Sequence, residues 1–180
     1  MNSLNFFADV VASGTVLGAS PTCGPDQVSE VLGTDYAENS GYSDSMWRDY
    51  GLAEFFWFRG SADAPWEGHH FSLQVHRLTQ GPDVVAPAIR SVYGQEFGPT
   101  LAFDALAAVL RERGVPLEEI PDTANAPYYR SFWQPQSCVE ISVIAEHSEF
   151  LTPDDLSVGD VYRIGAPLHA DVVAGRRARR

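Results

Sequence analysis

Apolar residues recur along the chain at two spacings, every third or fourth position in some stretches and every second in others, and the switches between them mark out the predicted elements. After Ser3, a favourable helix cap, Leu4, Phe6, Phe7, Val10 and Val11 predict a short amphipathic helix ending near Gly14. Pro25 sits where a first helical turn tolerates proline, and Val28, Val31 and Leu32 form a stripe that Gly33 terminates. Asp35 to Ser45 is polar and turn-rich. From Leu52 to Phe58 the period becomes two, with large apolar groups at positions of both parities, which predicts a central, buried strand. Arg59 to Gly68 has loop composition, and His69 to Leu78 resumes a strand pattern, completing a long-looped antiparallel hairpin. On that second strand Phe71, Leu73 and Val75 share one face and His70, Ser72, Gln74 and His76 the other.

TQGPD, Thr79 to Asp83, breaks the pattern and separates two halves, about 1–80 and 81–167. Val84, Val85, Ala88, Ile89, Val92 and Tyr93 predict a helix with Pro87 in its first turn or at a kink. Another helix follows in LAFDALAAVLRERG, with Thr100 as its expected cap, Leu101, Leu106, Val109 and Leu110 on one side and Gly114 as its stop. Tyr128 to Trp133 and Val139 to Ala145 predict strands on either side of QPQS, and Val161 to Ile164 a short edge strand. Beyond Pro167 the pattern predicts no packing, and 176–180 reads as a frayed basic tail on a single domain spanning 1–175. Both halves run helix, polar connector, aromatic-rich strand, loop, aliphatic strand. The fold class this implies is α+β, an antiparallel sheet with helices on one face, built from two related helix-then-hairpin halves. The other sheet face is then available to a partner.

Charge sharpens this picture. The chain carries 24 acidic residues against 12 basic ones, a net charge of −12, and every basic residue is arginine. Four arginines lie in the last five positions, so residues 1 to 175 hold 8 arginines against 24 carboxylates and a net charge of −16. Such a field disfavours nucleic acid and anionic membranes and speeds association with basic partners. No run approaches the roughly 18 apolar residues of a membrane span, and the first residues lack the positive start of a secretory signal, so the expected location is cytoplasmic. Cys23 and Cys138 are expected to be unpaired and buried.

Catalytic and metal chemistry find little footing. His70 and His76 share a strand face but are separated by roughly 20 Å in an extended strand, and His69 and His70 point to opposite faces, so no metal site is expected. Cys138 and His147 lie at opposite ends of one strand, too far apart for a nucleophile and its base. Phosphate-binding, dinucleotide-binding, metalloprotease and nucleophile-elbow motifs are all missing, and no cofactor is expected.

Surface recognition is what the residue types favour. Aromatics make up 12% of the chain, and several stand beside acidic residues in loops. Asp44, Asp49, Asp63, Trp66, Glu67, Tyr128 and Tyr129 are the candidate partner-binding residues, aromatic anchors with a charged surround. Trp66, in a Pro/Gly loop, is expected to be exposed, and Trp47, Tyr50 and Trp133 to be core.

RDYGLAEFFWF (Arg48 to Phe58), FSLQVHRL (Phe71 to Leu78) and the preceding PDQVSEVLG (Pro25 to Gly33) together resemble small acidic actinobacterial proteins of the immunity type. These are encoded beside polymorphic toxins and neutralise them by binding. The resemblance covers about residues 18 to 78 and extends loosely through FDALAAVLRERG and CVEISV. The helix, loop and sheet order around PDQVSEVLG is also similar to modules of the β-lactamase inhibitor protein and of small outer-membrane lipoproteins. The first resemblance implies an inhibitor, not an enzyme, whose acidic surface occludes the basic active-site cleft of a cognate toxin that acts on nucleic acid. The alternative is a small hydrolase or ligand-binding protein using the His70/His76 sheet face, and a third reading is a scaffold subunit that binds only its own copies.

Overall fold

The computed structural model describes residues 3–122, 124–150 and 152–179. The first half runs α1 (Ser3–Ser13), α2 (Pro25–Leu32), β1 (Ala37–Asn39), β2 (Ser45–Asp49), β3 (Ala53–Phe58) and β4 (Glu67–Leu73). Two 3₁₀ turns, Val75–Gln80 and Pro82–Val84, lead into α3 (Pro87–Tyr93), α4 (Phe103–Glu112), β5 (Glu118–Ile120), β6 (Tyr129–Gln134), β7 (Val139–Ile144), β8 (Val161–Ala166) and α5 (Ala170–Ala178).

The strands form one eight-stranded antiparallel sheet in the order β1-β2-β3-β4-β8-β7-β6-β5. Each half is therefore two helices followed by a four-stranded meander, and the last strands of the two meanders meet antiparallel at the centre, Phe71 against Ala166 and Leu73 against Ile164. This is the arrangement a two-fold relation between halves produces. It also corrects one expectation: Val161–Ala166 is a central strand that joins the halves, not an edge.

Strand alternation divides the core. Met46, Phe55, Trp57, Phe71, Leu73, Ile141, Val143 and Ile164 face the helices and pack with Phe6, Phe7, Val28, Ile89, Leu106 and Leu110 in one cluster drawn from both halves. Burying each such side chain contributes about 1.5–3 kcal/mol. Trp57 also donates its indole N–H to the Cys23 carbonyl at 2.8 Å, tying the sheet to the loop before α2. That loop can lie against β4 because residue 68 is glycine: a Cβ there would stand 2.3 Å from the Pro21 carbonyl oxygen.

The expected α+β class and the helix-bearing face hold for α1 to α4, whereas α5 lies on the opposite face. Phe132 belongs to the main cluster, but its neighbour Trp133 projects the other way and packs with Ile120, Val173 and Leu168. Trp133 donates its indole N–H to the Leu168 carbonyl at 2.9 Å. The predicted frayed tail is thus a docked helix. Arg176 pairs with Glu140 at 2.5 Å and Arg177 with Glu118 at 2.7 Å, while Arg180 lies outside the described residues.

Smaller corrections follow from local chemistry. Ala102, not Thr100, caps α4, with Asp104 in its first turn and Arg111 in its last, as the helix dipole favours. The strand expected to reach Leu78 ends at Leu73, where the chain coils so that Val75 and Leu78 turn into the core. Residues 35–45 contain β1. Cys23 and Cys138 are free thiols, half-buried and not fully buried as expected, because Cys23 lies in the loop before α2 and Cys138 in the turn before β7. Among the described residues no helix is long and apolar enough to cross a membrane.

Candidate functional site

The helix-free face over β2, β3 and β4 carries an aromatic ladder. Glu54, Phe56 and Phe58 occupy the alternate positions of β3 and so point away from the core. Trp47 on β2 and His70 on β4 flank Phe56, and the three rings stack, Trp47–Phe56 at 6.1 Å and Phe56–His70 at 4.1 Å between centroids. Phe56 pairs with His70 while Trp57 pairs with Gly68, which leaves His69 as the extra residue of a β-bulge. The bulge brings the His69 and His70 rings together, with their Nδ1 atoms 2.7 Å apart, where simple alternation predicts opposite faces. One ring donates and the other accepts, so the accepting ring is neutral. His70 fits that role, since burial, then His69 and Arg163, push its pKa down to about 4. His69 reaches on to Phe58, 44% exposed, at 4.8 Å.

An acidic rim borders this ladder. Ser45 pairs with Phe58 and Phe58 with Glu67, so the β1–β2 and β3–β4 loops lie together at one end of the sheet. Arg59 locks them, donating its backbone N–H to the Asp44 carbonyl at 3.0 Å and its Nε to the Ser43 carbonyl at 2.6 Å. The Arg59 guanidinium also lies 4.1 Å over the Trp66 ring. Asp44, Asp63 and Glu67 are exposed, as is Tyr42 at 67%, and none of the three carboxylates forms an ion pair with a described residue. The fold thus gathers Asp44, Asp63, Trp66 and Glu67 at one end. Trp66 is half-buried against the core beneath Arg59, not exposed as its loop composition suggests.

The remaining candidates lie elsewhere. Asp49, at the far end of β2, accepts from the Gly51 N–H at 2.7 Å and pairs with Arg77 at 3.0 Å, a brace between β2 and the 3₁₀ turn. Tyr129 opens β6, also at the far end, with Tyr128 in the turn just before it, and Tyr129 meets Tyr162 edge-on at 5.2 Å. Tyr50 and Trp133 are core, as expected, whereas Trp47 belongs to the ladder. The ladder residues Phe56, Phe58, His69 and His70 were readable only as strand positions; the alternation Glu54/Phe56/Phe58 was the signal, and the bulge had none.

On the histidine face His70 and His76 have separate neighbours. His70 stacks on Phe56, whereas His76 stacks on Tyr162 at 4.5 Å with its Nδ1 3.4 Å from the Tyr162 carbonyl. Burial lowers the His76 pKa, which that carbonyl partly opposes. No group of three or more His, Cys, Asp or Glu among the described residues is arranged to hold a metal ion.

A second feature of the same face lies under α5, where a cavity of about 510 Å³ opens between the helix and strands β6 to β8. Tyr129 is part of its wall. Compared with protein families, curated proteins and solved structures, the chain finds no match.

Proposed function

We propose that this protein is an immunity-type inhibitor that neutralises a cognate toxin, with a basic, nucleic-acid-targeting toxin domain docking on the aromatic ladder and its acidic rim. One observation carries the reading: the stacked rings of Trp47, Phe56 and His70 and the exposed Phe58 adjoin Asp44, Asp63 and Glu67, carboxylates at the same end of the sheet that have no counter-ion among the described residues. A desolvated aromatic centre inside a charged surround is the anatomy of a protein interface. The chain's net charge of −12 selects a basic occupant by attraction and slows nucleic-acid competitors by repulsion. A cleft built to bind phosphates presents the complementary arginines and lysines. The resemblance of the first-half segments to immunity proteins supports the same assignment, as does the position of the ladder within residues 18 to 78, the part of the chain the resemblance covers.

The test is affinity capture with the tagged full chain at low and high salt, followed by expression of the captured domain. The expected result is one basic domain, retained stoichiometrically at low salt, that arrests growth alone and is harmless when co-expressed with this protein. Retention of no stoichiometric protein from cells shown to express a candidate toxin, or persistence of its toxicity in the co-expressing cells, would sink the reading.

A further inference from the structure

The cavity beneath α5 has a chemistry unlike the rest of the surface. Arg163 enters it from β8, Arg176 from α5 and Arg179 from the cap that ends α5, which gathers three of the chain's twelve arginines around a single opening in a protein of net charge −12. Their functions differ. Arg176 is spent on Glu140 at 2.5 Å, whose side chain is only 11% exposed. Arg163 stands 3.8 Å from the same carboxylate, beyond hydrogen-bond range, and its guanidinium makes no hydrogen bond to a described residue. Arg179 uses Nε on the Gly175 carbonyl at 3.1 Å, which leaves its two terminal nitrogens available. The Ser142 and Tyr162 hydroxyls also line the cavity and have no hydrogen-bond partner among the described residues.

Asp122 also stands in the wall, its carboxylate taken up by the Asn125 amide and the Ser131 hydroxyl. A guanidinium presents a fork of donors that matches an oxyanion, so two such forks facing a concave space with hydroxyls define a ligand by its complement. Glu140, already neutralised by Arg176, offers acceptor capacity to a ligand hydroxyl. The volume of about 510 Å³ falls within the range of small-molecule sites. We infer that this cavity binds a small hydroxylated oxyanion, a carboxylate or phosphate carried on a polyol or sugar, with the anionic group held by Arg163 and Arg179 and the hydroxyls by Ser142, Tyr162 and Glu140. The cavity lies over β6 to β8 and meets the ladder only through Arg163, which stands near His70, and its reading does not rest on the toxin-binding assignment.

The experiment is calorimetric titration of the full chain at low ionic strength with glucose 6-phosphate, gluconate and glucose. Saturable binding of the phosphate or the carboxylate, with glucose silent, is the expected result, and the tighter of the two identifies the oxyanion. Arg163→Gln and Arg179→Gln should each weaken binding about ten-fold, the loss of a charge-assisted hydrogen bond. Arg111→Gln removes the same charge from the far side of the molecule and should leave binding unchanged. Thermal unfolding of each variant establishes that it is folded, and Arg179, at the exposed end of α5, provides the variant least able to disturb the core. Silence of both oxyanions, an equal response to glucose, or equal weakening by Arg111→Gln would each overturn the proposal.

Discussion

Phe56 and His70 face each other across β3 and β4 with ring centroids 4.1 Å apart and planes within 6° of parallel. The contact places an ionisable ring against an aromatic surface and beside His69 and Arg163, and burial with those neighbours pushes the His70 pKa down to about 4. In the unfolded chain the same ring titrates near 6.5. Between those values the unfolded state binds a proton that the folded state does not, so stability falls as pH drops from about 6.5 to about 4. Partial solvent screening limits the effect to about 1–2 kcal/mol. His70→Phe keeps the stack and removes the titration. Urea unfolding at about pH 7 and about pH 4.5 should show a smaller acid loss in the variant than in the parent, and equal losses would show that His70 does not titrate abnormally.

Neutralising the acidic rim tests where the partner lands. Asp44→Asn, Asp63→Asn and Glu67→Gln combined remove three exposed charges without touching an ion pair of the fold. Association with the captured basic domain should slow about ten-fold at low salt and converge with the parent's rate at high salt, while dissociation changes less. Stopped-flow or surface-resonance kinetics resolve the two rates. An unchanged association rate would remove these residues from the interface.

Much of this architecture was legible in the chain because periodicity reports burial directly. Phe6, Phe7, Val10 and Val11 announce α1, and Val139, Ile141 and Val143 announce the inner face of β7. The two helix-then-hairpin halves read from the chain were too simple: each half carries a second helix and two further strands, β1 and β2 in the first half and β5 and β8 in the second. The failures share a cause: pairing partners are non-local. Val161 to Ile164 looks like an edge because it is short, yet it is central since β4 and β7 both need a neighbour. The α5 segment ADVVAGRRA has one buried apolar residue, Val173, so its docking depends on Trp133 some forty positions earlier and on Glu140 and Glu118 as counter-ions. Of the candidate site, the acidic and aromatic residue types were legible, whereas their assembly at one end of the sheet required the register of β2, β3 and β4.

Gly68 tests the seam between the loop before α2 and the sheet. A Cβ at this position would meet the Pro21 oxygen at 2.3 Å, the Thr22 carbonyl carbon at 2.7 Å and the Cys23 oxygen at 2.8 Å, all backbone atoms. Since the Cys23 carbonyl also accepts the Trp57 indole N–H, the loop cannot retreat without breaking that bond. Gly68→Ala should cost about 1–3 kcal/mol, the range of core overpacking. Gly60→Ala, where a Cβ meets nothing within 4 Å, should stay within about 0.5 kcal/mol. Denaturant midpoints at unchanged slope measure both. Equal stability of the two variants would mean that the loop does not press on β4.

The two ion pairs of α5 separate a structural helix from a loosely attached one. Arg176 pairs with Glu140, whose side chain is 11% exposed on the sheet, whereas the Arg177 and Glu118 side chains are 48% and 44% exposed. Removing Arg176 leaves a largely buried carboxylate with only Arg163, 3.8 Å away, to balance it. Stranding a buried charge is costly in a way that losing a solvated pair is not, because water replaces the lost partner only in the second case. Arg176→Gln should therefore destabilise the protein by about 1–3 kcal/mol, and Arg177→Gln by less than about 1 kcal/mol. Adding Glu140→Gln to the Arg176 variant should recover part of the loss, since the stranded charge is then gone. Urea unfolding of the three variants reads these differences. Similar small losses for Arg176→Gln and Arg177→Gln, with no recovery in the double variant, would show that α5 does not hold its place over Trp133 and Glu140 in solution.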